Sequence, residues 1–280
     1  MTAIPTATTP TATHAVAERI RAAGRDRRGA LVGYLPVGFP DLAGSIEAAL
    51  ALAAAGVDVL EFGLPYSDPV MDGPVIQAAT QRALAGGFRL RDAFTAVREV
   101  TAAADMPVLL MTYWNPVLQY GADRFAADLA AAGGAGLITP DLIPDEAGEW
   151  LAASDATGLE RVFLAAPTSS EGRLRTAARS SRGFVYAVST MGITGARADV
   201  DSAARTLVGR LRQHATEPVC VGIGVSTPQQ VTGILDYADG AIVGSALVAA
   251  LDGGVERLRD TAGALAAGTL CRAEDVRPVD

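Results

Sequence analysis

The sequence predicts a single (β/α)8 TIM barrel with extra N-terminal and loop helices. Short apolar runs alternate eight times with Ala- and Arg-rich segments of helical period along the 280 residues. The runs are almost continuously apolar, which is typical of parallel strands covered on both faces. Eight such units without a linker between them close most simply into a barrel. A doubly wound open sheet is the alternative, but no GxGxxG follows the first strand.

Each predicted strand is a short apolar run that precedes its helix. The strands are predicted at 30–37, 57–62, 106–113, 135–140, 160–167, 183–189, 217–224 and from 240 onward. The helices are predicted at 41–56, 74–87, 90–104, 121–134, 145–158, 171–181, 199–214, 227–238 and 253–267, with a short one at 246–251. The barrel domain is therefore expected to span residues 13–268. Residues 1–12 are expected to form a flexible leader and residues 269–280 a flexible C-terminal tail.

The composition and the first residues of the sequence bear on the cellular compartment of the protein and on metal binding. The first twelve residues, "MTAIPTATTPTA", have neither the basic start nor the apolar stretch of a secretory signal. No apolar segment approaches the roughly 20 residues that a membrane helix needs. Cys220 and Cys271 fit neither a metal-binding spacing nor a disulfide framework. These features predict a cytoplasmic protein without a metal.

Charge and side-chain inventory narrow the chemistry. The net charge of −8 argues against a nucleic-acid partner, although backbone N–H groups can still bind a small anion. All 23 basic residues are arginine, so this chain cannot form a lysine Schiff base or hold pyridoxal phosphate covalently. There are only two histidines, His14 and His214. Proton transfer should therefore fall to carboxylates, assisted by tyrosine.

The stretch "VDVLEFGLPYSDPVMDGPVIQ" (57–77) is the strongest candidate for the active site. Glu61 lies near the carboxyl end of the second strand, and Asp68 and Asp72 lie in the loop that follows. Barrel enzymes place their active sites in these loops, and this loop is longer than a typical strand–helix connection. In the alternative interpretation, Glu61 is a core group paired with an arginine or backbone amides, and the two aspartates stabilise turns.

Glycines follow the last two strands. "GIG" (222–224) ends the seventh strand, and "GS" (244–245) follows the eighth just before the short predicted helix. Barrels often bind phosphate there with backbone amides and a helix N-terminus, although such glycines also serve as ordinary turns. A Gly-bounded loop, "STMGITGAR" (189–197), follows the sixth strand and is of the kind that closes over ligands.

Five segments together resemble one known family. They are "LEFGLPYSDPVMDGPVIQ", "MTYWNP", "ITPDLIPDE", "STMGITGAR" and "VGIGVSTPQQV…ADGAIVGSALV". In this order, from about residue 29 to 267, they resemble the tryptophan synthase alpha chain family in its actinobacterial form. The resemblance implies cleavage of indole-3-glycerol phosphate to indole and glyceraldehyde 3-phosphate without metal or cofactor. It also implies transfer of indole through a tunnel to a pyridoxal-phosphate beta subunit in an α2β2 complex.

The resemblance also implies roles for individual residues. The acid/base glutamate falls on Glu61, the loop aspartate on Asp72 and the substrate-orienting tyrosine on Tyr186. The phosphate-binding positions are Gly195, Gly224, Gly244 and Ser245. The indole-pocket positions are Tyr34, Tyr113 and Phe184. Thr194 belongs to loop closure, and the positions for partner contact are Pro65, Asp68, Asn115 and Pro116.

Elementary chemistry agrees with these roles. Cleavage next to an indole ring needs a proton at the ring carbon bearing the side chain, and then loss of the side-chain hydroxyl proton. One carboxylate of raised pKa can do both in turn, and Leu60 and Phe62 are expected to desolvate Glu61 for this purpose. An ionised Asp72 would accept a hydrogen bond from the indole N–H. Tyr186 could instead be a strand residue whose hydroxyl is satisfied.

Some features depart from the family pattern, and other functions stay open. Phe39 replaces the aspartate of the usual first loop, and Thr190 stands where some members have a basic residue. An autonomous lyase that releases free indole would share the same motifs. A subunit that mainly binds and activates a beta chain is a second alternative, and the intact Glu61 and Asp72 speak against it. A sugar-phosphate isomerase or epimerase would explain the phosphate loops but not the second-strand motif.

Overall fold

The predicted barrel is confirmed by a computed structural model, which describes residues 15–188, 197–222 and 224–270. All paired strands are parallel, in the order β5-β4-β3-β2-β1-β9-β8-β7-β6. The strands are β1 Ala30–Pro36, β2 Val59–Gly63, β3 Val108–Met111, β4 Gly136–Ile138, β5 Glu160–Val162, β6 Leu164–Ala165, β7 Val185–Val188, β8 Val219–Gly222 and β9 Gly240–Val243. The two edge strands, β5 and β6, flank Phe163 within one predicted strand. The sheet therefore closes on itself with eight strand segments.

The helices surround this barrel. They are α1 Ala15–Arg25, α2 Leu42–Ala54, α3 Pro74–Ala85, α4 Leu90–Ala103, α5 Trp114–Tyr120, α6 Ala122–Ala131, α7 Gly148–Thr157, α8 Glu171–Ser180, α9 Arg197–Leu211, α10 Pro228–Leu235, α11 Ser245–Asp252 and α12 Val255–Ala267, with a 3-10 turn at Pro144–Glu146. None of the helices in the described part of the chain is long and apolar enough to cross a membrane. The predicted leader, 1–12, and residues 271–280 of the predicted tail lie outside the described residues.

Helix α5 was not among the individual helices predicted from the sequence. Pro116 is its third residue, where proline is tolerated because the first-turn N–H groups have no intrahelical partner. The carboxylate of Asp141 accepts the Trp114 N–H at 2.9 and 3.1 Å and so satisfies one of these donors. The helix start is thus stabilised from a residue 27 positions away, which no local pattern could indicate.

Strand alternation separates two cores. Val59 points into the barrel with residues such as Val32, whereas Leu60 and Phe62 belong to the core between the barrel and the helices. The expectation that Leu60 and Phe62 desolvate Glu61 was therefore wrong. Glu61 lies on the same side of β2 as Val59, so the apolar groups of the barrel interior surround it instead.

Helix α1 closes the amino-terminal end of the barrel. Val16, Ile20 and Ala23 pack against the interior side chains. The Glu160 carboxylate at the start of β5 accepts the backbone N–H groups of Val16 and Ala17 at 3.0 and 3.3 Å. The opposite, carboxyl end of the barrel carries the loops that hold the predicted site residues.

Candidate active site

Glu61 is the central ionisable group at the carboxyl end of the barrel. It pairs in register with Tyr34 on β1 and is only 1 % exposed. Its Oε1 is buried, and within the described residues it has no hydrogen-bond partner. Burial raises the pKa of Glu61 from 4.5 to about 8. The pairing with an arginine or backbone amides that the sequence left open is not found among the described residues.

Two tyrosines flank Glu61 inside the barrel. Tyr34 on β1 and Tyr186 on β7 are almost fully buried, and burial together with the Glu61 carboxylate raises the pKa of both phenols well above the usual range. Each ring lies against a glycine of the neighbouring strand, Gly63 beside Tyr34 and Gly222 beside Tyr186. A Cβ at either glycine would collide with the phenol. These glycines therefore make the room that lets both hydroxyls approach Glu61.

The remaining residues predicted to line an indole pocket are also buried aromatic side chains. Phe184 is fully buried two residues before Tyr186, and the two ring centroids are 6.2 Å apart. Tyr113, two residues after β3 and just before α5, is 6 % exposed. Tyr34 pairs with Glu61 and Tyr113 lies near Asp72, so aromatic side chains lie close to both carboxylates.

Asp72 lies in the ten-residue loop 64–73 between β2 and α3, here named loop 2. The Met71 N–H donates to the Tyr113 hydroxyl at 2.8 Å, and Gln77 Nε2 donates to the Asp72 carbonyl at 2.8 Å. These bonds fix the backbone on both sides of the Asp72 side chain. Burial raises the pKa of Asp72, and its charge in turn raises the pKa of Tyr34 and Tyr113. Asp72 and Glu61 both raise the pKa of Tyr34, so the two carboxylates lie near the same phenol.

The predicted phosphate positions that the structure describes follow strands β8 and β9. Gly224 is exposed and has φ +81°, a conformation that favours glycine. Gly244 precedes α11 and lies between Tyr34 and Ile76, because a Cβ there would be 3.6 Å from the Tyr34 Cβ and 3.7 Å from the Ile76 Cδ1. Ser245 is exposed as the first residue of α11, where backbone N–H groups favour an anion. Thr190, Thr194 and Gly195 lie outside the described residues.

The predicted partner-contact residues lie on two adjacent segments. Pro65 is buried at the start of loop 2, whereas Asp68 is exposed and accepts a hydrogen bond from Ser67 at 2.6 Å. Asn115, exposed on α5 next to Pro116, donates to the Tyr66 hydroxyl at 3.1 Å. The exposed large apolar side chains near these segments are Val70, Met71, Val75, Leu118 and Ile143.

Tyr66 lies in the same part of loop 2, which the sequence also proposed for partner contact. Its ring centroid lies 5.4 Å from that of Tyr113, and its hydroxyl accepts a hydrogen bond from Asn115. Tyr66 therefore joins α5 to Tyr113, the residue that holds the Met71 backbone.

Other chemistry has little support in the described part of the chain. No group of three or more His, Cys, Asp or Glu side chains there could hold a metal ion. Cys220 is free and buried on β8, where burial raises the pKa of its thiol well above the usual range. A thiol in that state is inert.

Comparisons with known proteins agree with this geometry. A sequence model described as tryptophan synthase alpha chain matches residues 20–273. The tryptophan synthase alpha chain of Leifsonia xyli is 68 % identical over 256 residues, which cover 91 % of this chain and 98 % of that protein. The one from Mycobacterium avium is 58 % identical over 249 residues, 89 % of this chain and 92 % of that protein.

Solved structures give the same result. Mycobacterium tuberculosis tryptophan synthase has a chain with a TM-score of 0.87 and 53 % identity, covering 92 % of this chain and 98 % of that one. The tryptophan synthase complex of Pyrococcus furiosus matches with a TM-score of 0.78 and 34 % identity, covering 86 % of this chain and 98 % of that one. With a family match over most of its length, this chain belongs to the tryptophan synthase alpha chain family.

Proposed function

We propose that this chain cleaves indole-3-glycerol phosphate to indole and glyceraldehyde 3-phosphate, with Glu61 as the acid and base. One observation carries the residue assignment. Glu61 is buried at the carboxyl end of the barrel, its Oε1 has no hydrogen-bond partner among the described residues, and burial raises its pKa to about 8. A carboxyl group that no residue stabilises is free to exchange a proton with a ligand.

The first step is protonation of the indole ring. At neutral pH Glu61 is mainly protonated, because its pKa lies above 7. It gives this proton to the ring carbon that bears the glycerol chain, which converts the indole to an indolenine cation. The indolenine takes up the electron pair of the bond that breaks, a role that a lysine iminium plays in other aldolases.

The second step breaks the carbon–carbon bond. The Glu61 carboxylate removes the proton from the hydroxyl next to the reacting carbon, and the electrons of the broken bond return to the ring. Indole and an aldehyde form, and Glu61 ends protonated as it began. Asp72 accepts a hydrogen bond from the indole N–H and stabilises the positive charge on the ring. Tyr186 orients the substrate beside Glu61.

The phosphate group anchors the other end of the substrate. Gly224 follows β8, whereas Gly244 and Ser245 follow β9, and Gly244 lies next to Tyr34. The first N–H groups of α11 have no intrahelical partner and bind the phosphate. Gly195 and Thr194, in the loop after β7, belong to the same proposal for phosphate binding and loop closure.

Indole then passes to a tryptophan synthase beta chain in an α2β2 complex. Pro65, Asp68, Asn115 and Pro116 are proposed to contact this partner, and the exposed apolar side chains next to them support a docking surface. Pyridoxal phosphate belongs to the beta chain, because this chain contains no lysine to hold it. The reaction is placed in the cytoplasm.

The test is indole release from indole-3-glycerol phosphate by the purified chain, without and with a cognate beta chain. We expect slow release alone and a rise of at least tenfold with the partner. Fast release that the partner leaves unchanged would make the chain an autonomous lyase and contradict the docking role. An isomerised sugar phosphate in place of indole would overturn the proposed reaction.

A further inference from the structure

Helices α3 and α11 each begin at one half of the proposed site. Asp72, at the indole end, lies two residues before Pro74, the first residue of α3. The phosphate end lies at Gly244 and Ser245, where α11 begins. Any change in the spacing of the two helices therefore changes the distance between the groups that bind the two ends of one substrate.

The two helices lie side by side with a gap between them. At their starts, Ile76 of α3 lies next to Gly244. At their ends, the Arg82 guanidinium forms an ion pair with the carboxylate of Asp252. Between these contacts is a cleft of about 390 Å³. Its apolar lining consists of Pro74, Val75, Ala78, Ala79, Val248 and Ala249. The two helices contact each other, but the cleft leaves part of the space between them unfilled, so side-chain packing alone does not fully hold their spacing.

Phe39 forms the support beneath Arg82. It follows β1, is 1 % exposed and lines the same cleft. The Arg82 guanidinium lies over its ring, 4.7 Å from the centroid. Arg82 thus contacts the loop after β1 and the end of α11 at once.

We propose that Arg82 is a positioning residue that sets the spacing between the indole and phosphate ends of the site. It acts by holding α3 to α11 through Asp252 and to the loop after β1 through Phe39. This inference rests on the proposed function, because it assigns the two ends to one substrate. Arg82 itself contacts neither end.

A positioning role predicts a difference between whole substrate and fragments. Indole-3-glycerol phosphate must reach both ends at once, so a change in helix spacing weakens its binding. Indole alone or glycerol 3-phosphate alone uses one end and does not sense the spacing. A residue that only stabilises the fold would not separate these ligands.

The experiment measures the affinity of the full-length chain for all three ligands by calorimetry, in a Glu61→Gln background so that the substrate is not consumed. We expect Arg82→Ala to weaken binding of indole-3-glycerol phosphate by about fivefold, from the loss of a surface ion pair and a cation–π contact. The affinities for both fragments should stay within about twofold, the size that such measurements resolve.

Three further variants separate the contacts. Arg82→Lys keeps the ion pair and should recover part of the whole-substrate affinity, because a compact ammonium stacks less well on the ring. Phe39→Leu keeps the ion pair but removes the aromatic face, and it should lower the affinity for indole-3-glycerol phosphate by roughly twofold. Arg98→Ala, at an exposed position of α4, is the matched control and should change no affinity. Circular dichroism checks that each variant is folded.

Two results would overturn the proposal. One is an equal loss for the fragments and the whole substrate in Arg82→Ala. The other is a whole-substrate affinity equal to that of Arg98→Ala. Failure of the proposed function looks different, because the chain with Glu61 intact would then release no indole, whichever affinities the variants show. If Arg82→Ala does not fold, Arg82→Gln, which removes the charge but keeps most of the side chain, gives the same comparison.

Discussion

Two buried glutamates in the described part of the barrel differ in their surroundings. Glu61 and Glu160 are each about 1 % exposed, and burial raises the pKa of both, to about 8 for Glu61 and about 7 for Glu160. Glu160 accepts two backbone N–H groups from α1, and these hydrogen bonds partly offset its burial. No described residue does the same for Glu61.

The two glutamates lie at opposite ends of the barrel. Glu160 lies at the amino-terminal end, where it holds α1 against the interior, as expected of the end that contributes stability. Glu61 lies at the carboxyl end among the loops. A buried carboxylate without partners destabilises the folded chain. Its presence there agrees with the acid and base role that we propose for it, and the same residue type holds α1 at the other end.

The largest expected effect comes from removing the ionisable group of Glu61. Glu61→Gln has nearly the same shape but cannot exchange the proton. We expect kcat for indole formation to fall by about 10³-fold, within the usual range for loss of general acid–base catalysis. Steady-state kinetics with the beta chain present measures this.

Glu160→Gln is the matched control for that variant. It makes the same change at a second buried glutamate, which lies at the opposite end of the barrel from the proposed reaction. Its kcat should stay within about twofold of the unmodified chain, because α1 is far from the reacting atoms. A similar loss in both variants would show that the effect on Glu61 reflects general damage to the barrel. Near-normal turnover in Glu61→Gln would remove Glu61 from the acid/base role.

The second-largest expected effect is on the pH dependence of folding stability, to which Glu61 contributes. For a carboxyl whose folded pKa is raised, the folded state holds its proton longer than the unfolded state does. Stability therefore falls as pH rises from 4.5, the usual pKa, to about 8, the folded pKa of Glu61. Across this window we expect the free energy of unfolding of Glu61→Gln to rise relative to that of the unmodified chain, by on the order of a few kcal/mol.

Urea unfolding at a series of pH values measures this gain. The advantage of Glu61→Gln should be absent near pH 4.5 and complete above pH 8. For Glu160→Gln the corresponding window ends lower, at about pH 7. A difference between Glu61→Gln and the unmodified chain that does not vary with pH would contradict the raised pKa.

The sequence predicted those parts of the molecule that depend on local pattern. Apolar runs and helical periods were enough for the eight strand segments and the barrel. The position of Glu61 near the end of a strand placed it at the carboxyl end of the barrel, next to the Asp72 loop. Both inferences need only the order of elements and the geometry of parallel strands.

The rest depends on contacts between residues far apart in the chain. Glu160 looked like an ordinary strand residue, because its partners lie 143 and 144 positions earlier in α1. The Tyr66–Asn115 bond joins residues 49 positions apart. The sequence did not reveal that the side chains of Leu60 and Phe62 point away from the barrel interior. A strand buried on both faces has no polar side to show which residues point inward.

The third prediction tests the structural role of Glu160. Glu160→Ala leaves the N–H groups of Val16 and Ala17 without an acceptor. We expect the free energy of unfolding to fall by about 2 kcal/mol, the usual cost of buried unsatisfied donors. Denaturant unfolding measures this loss, while kcat per folded molecule should be unchanged. A loss of kcat with unchanged stability would reverse the contrast between the two glutamates.

The smallest expected effect comes from Ser245, the exposed first residue of α11 at the carboxyl end of the barrel. Ser245→Ala removes one hydroxyl donor but leaves the backbone N–H groups of α11 in place. We expect KM for indole-3-glycerol phosphate to rise about fivefold with kcat unchanged, because a single hydrogen bond to a charged group is lost. Cleavage of unphosphorylated indole-glycerol provides the control, and it should be insensitive to the substitution. If both substrates suffer equally, Ser245 supports the start of α11 and does not bind phosphate, and the phosphate end would rest on backbone groups alone.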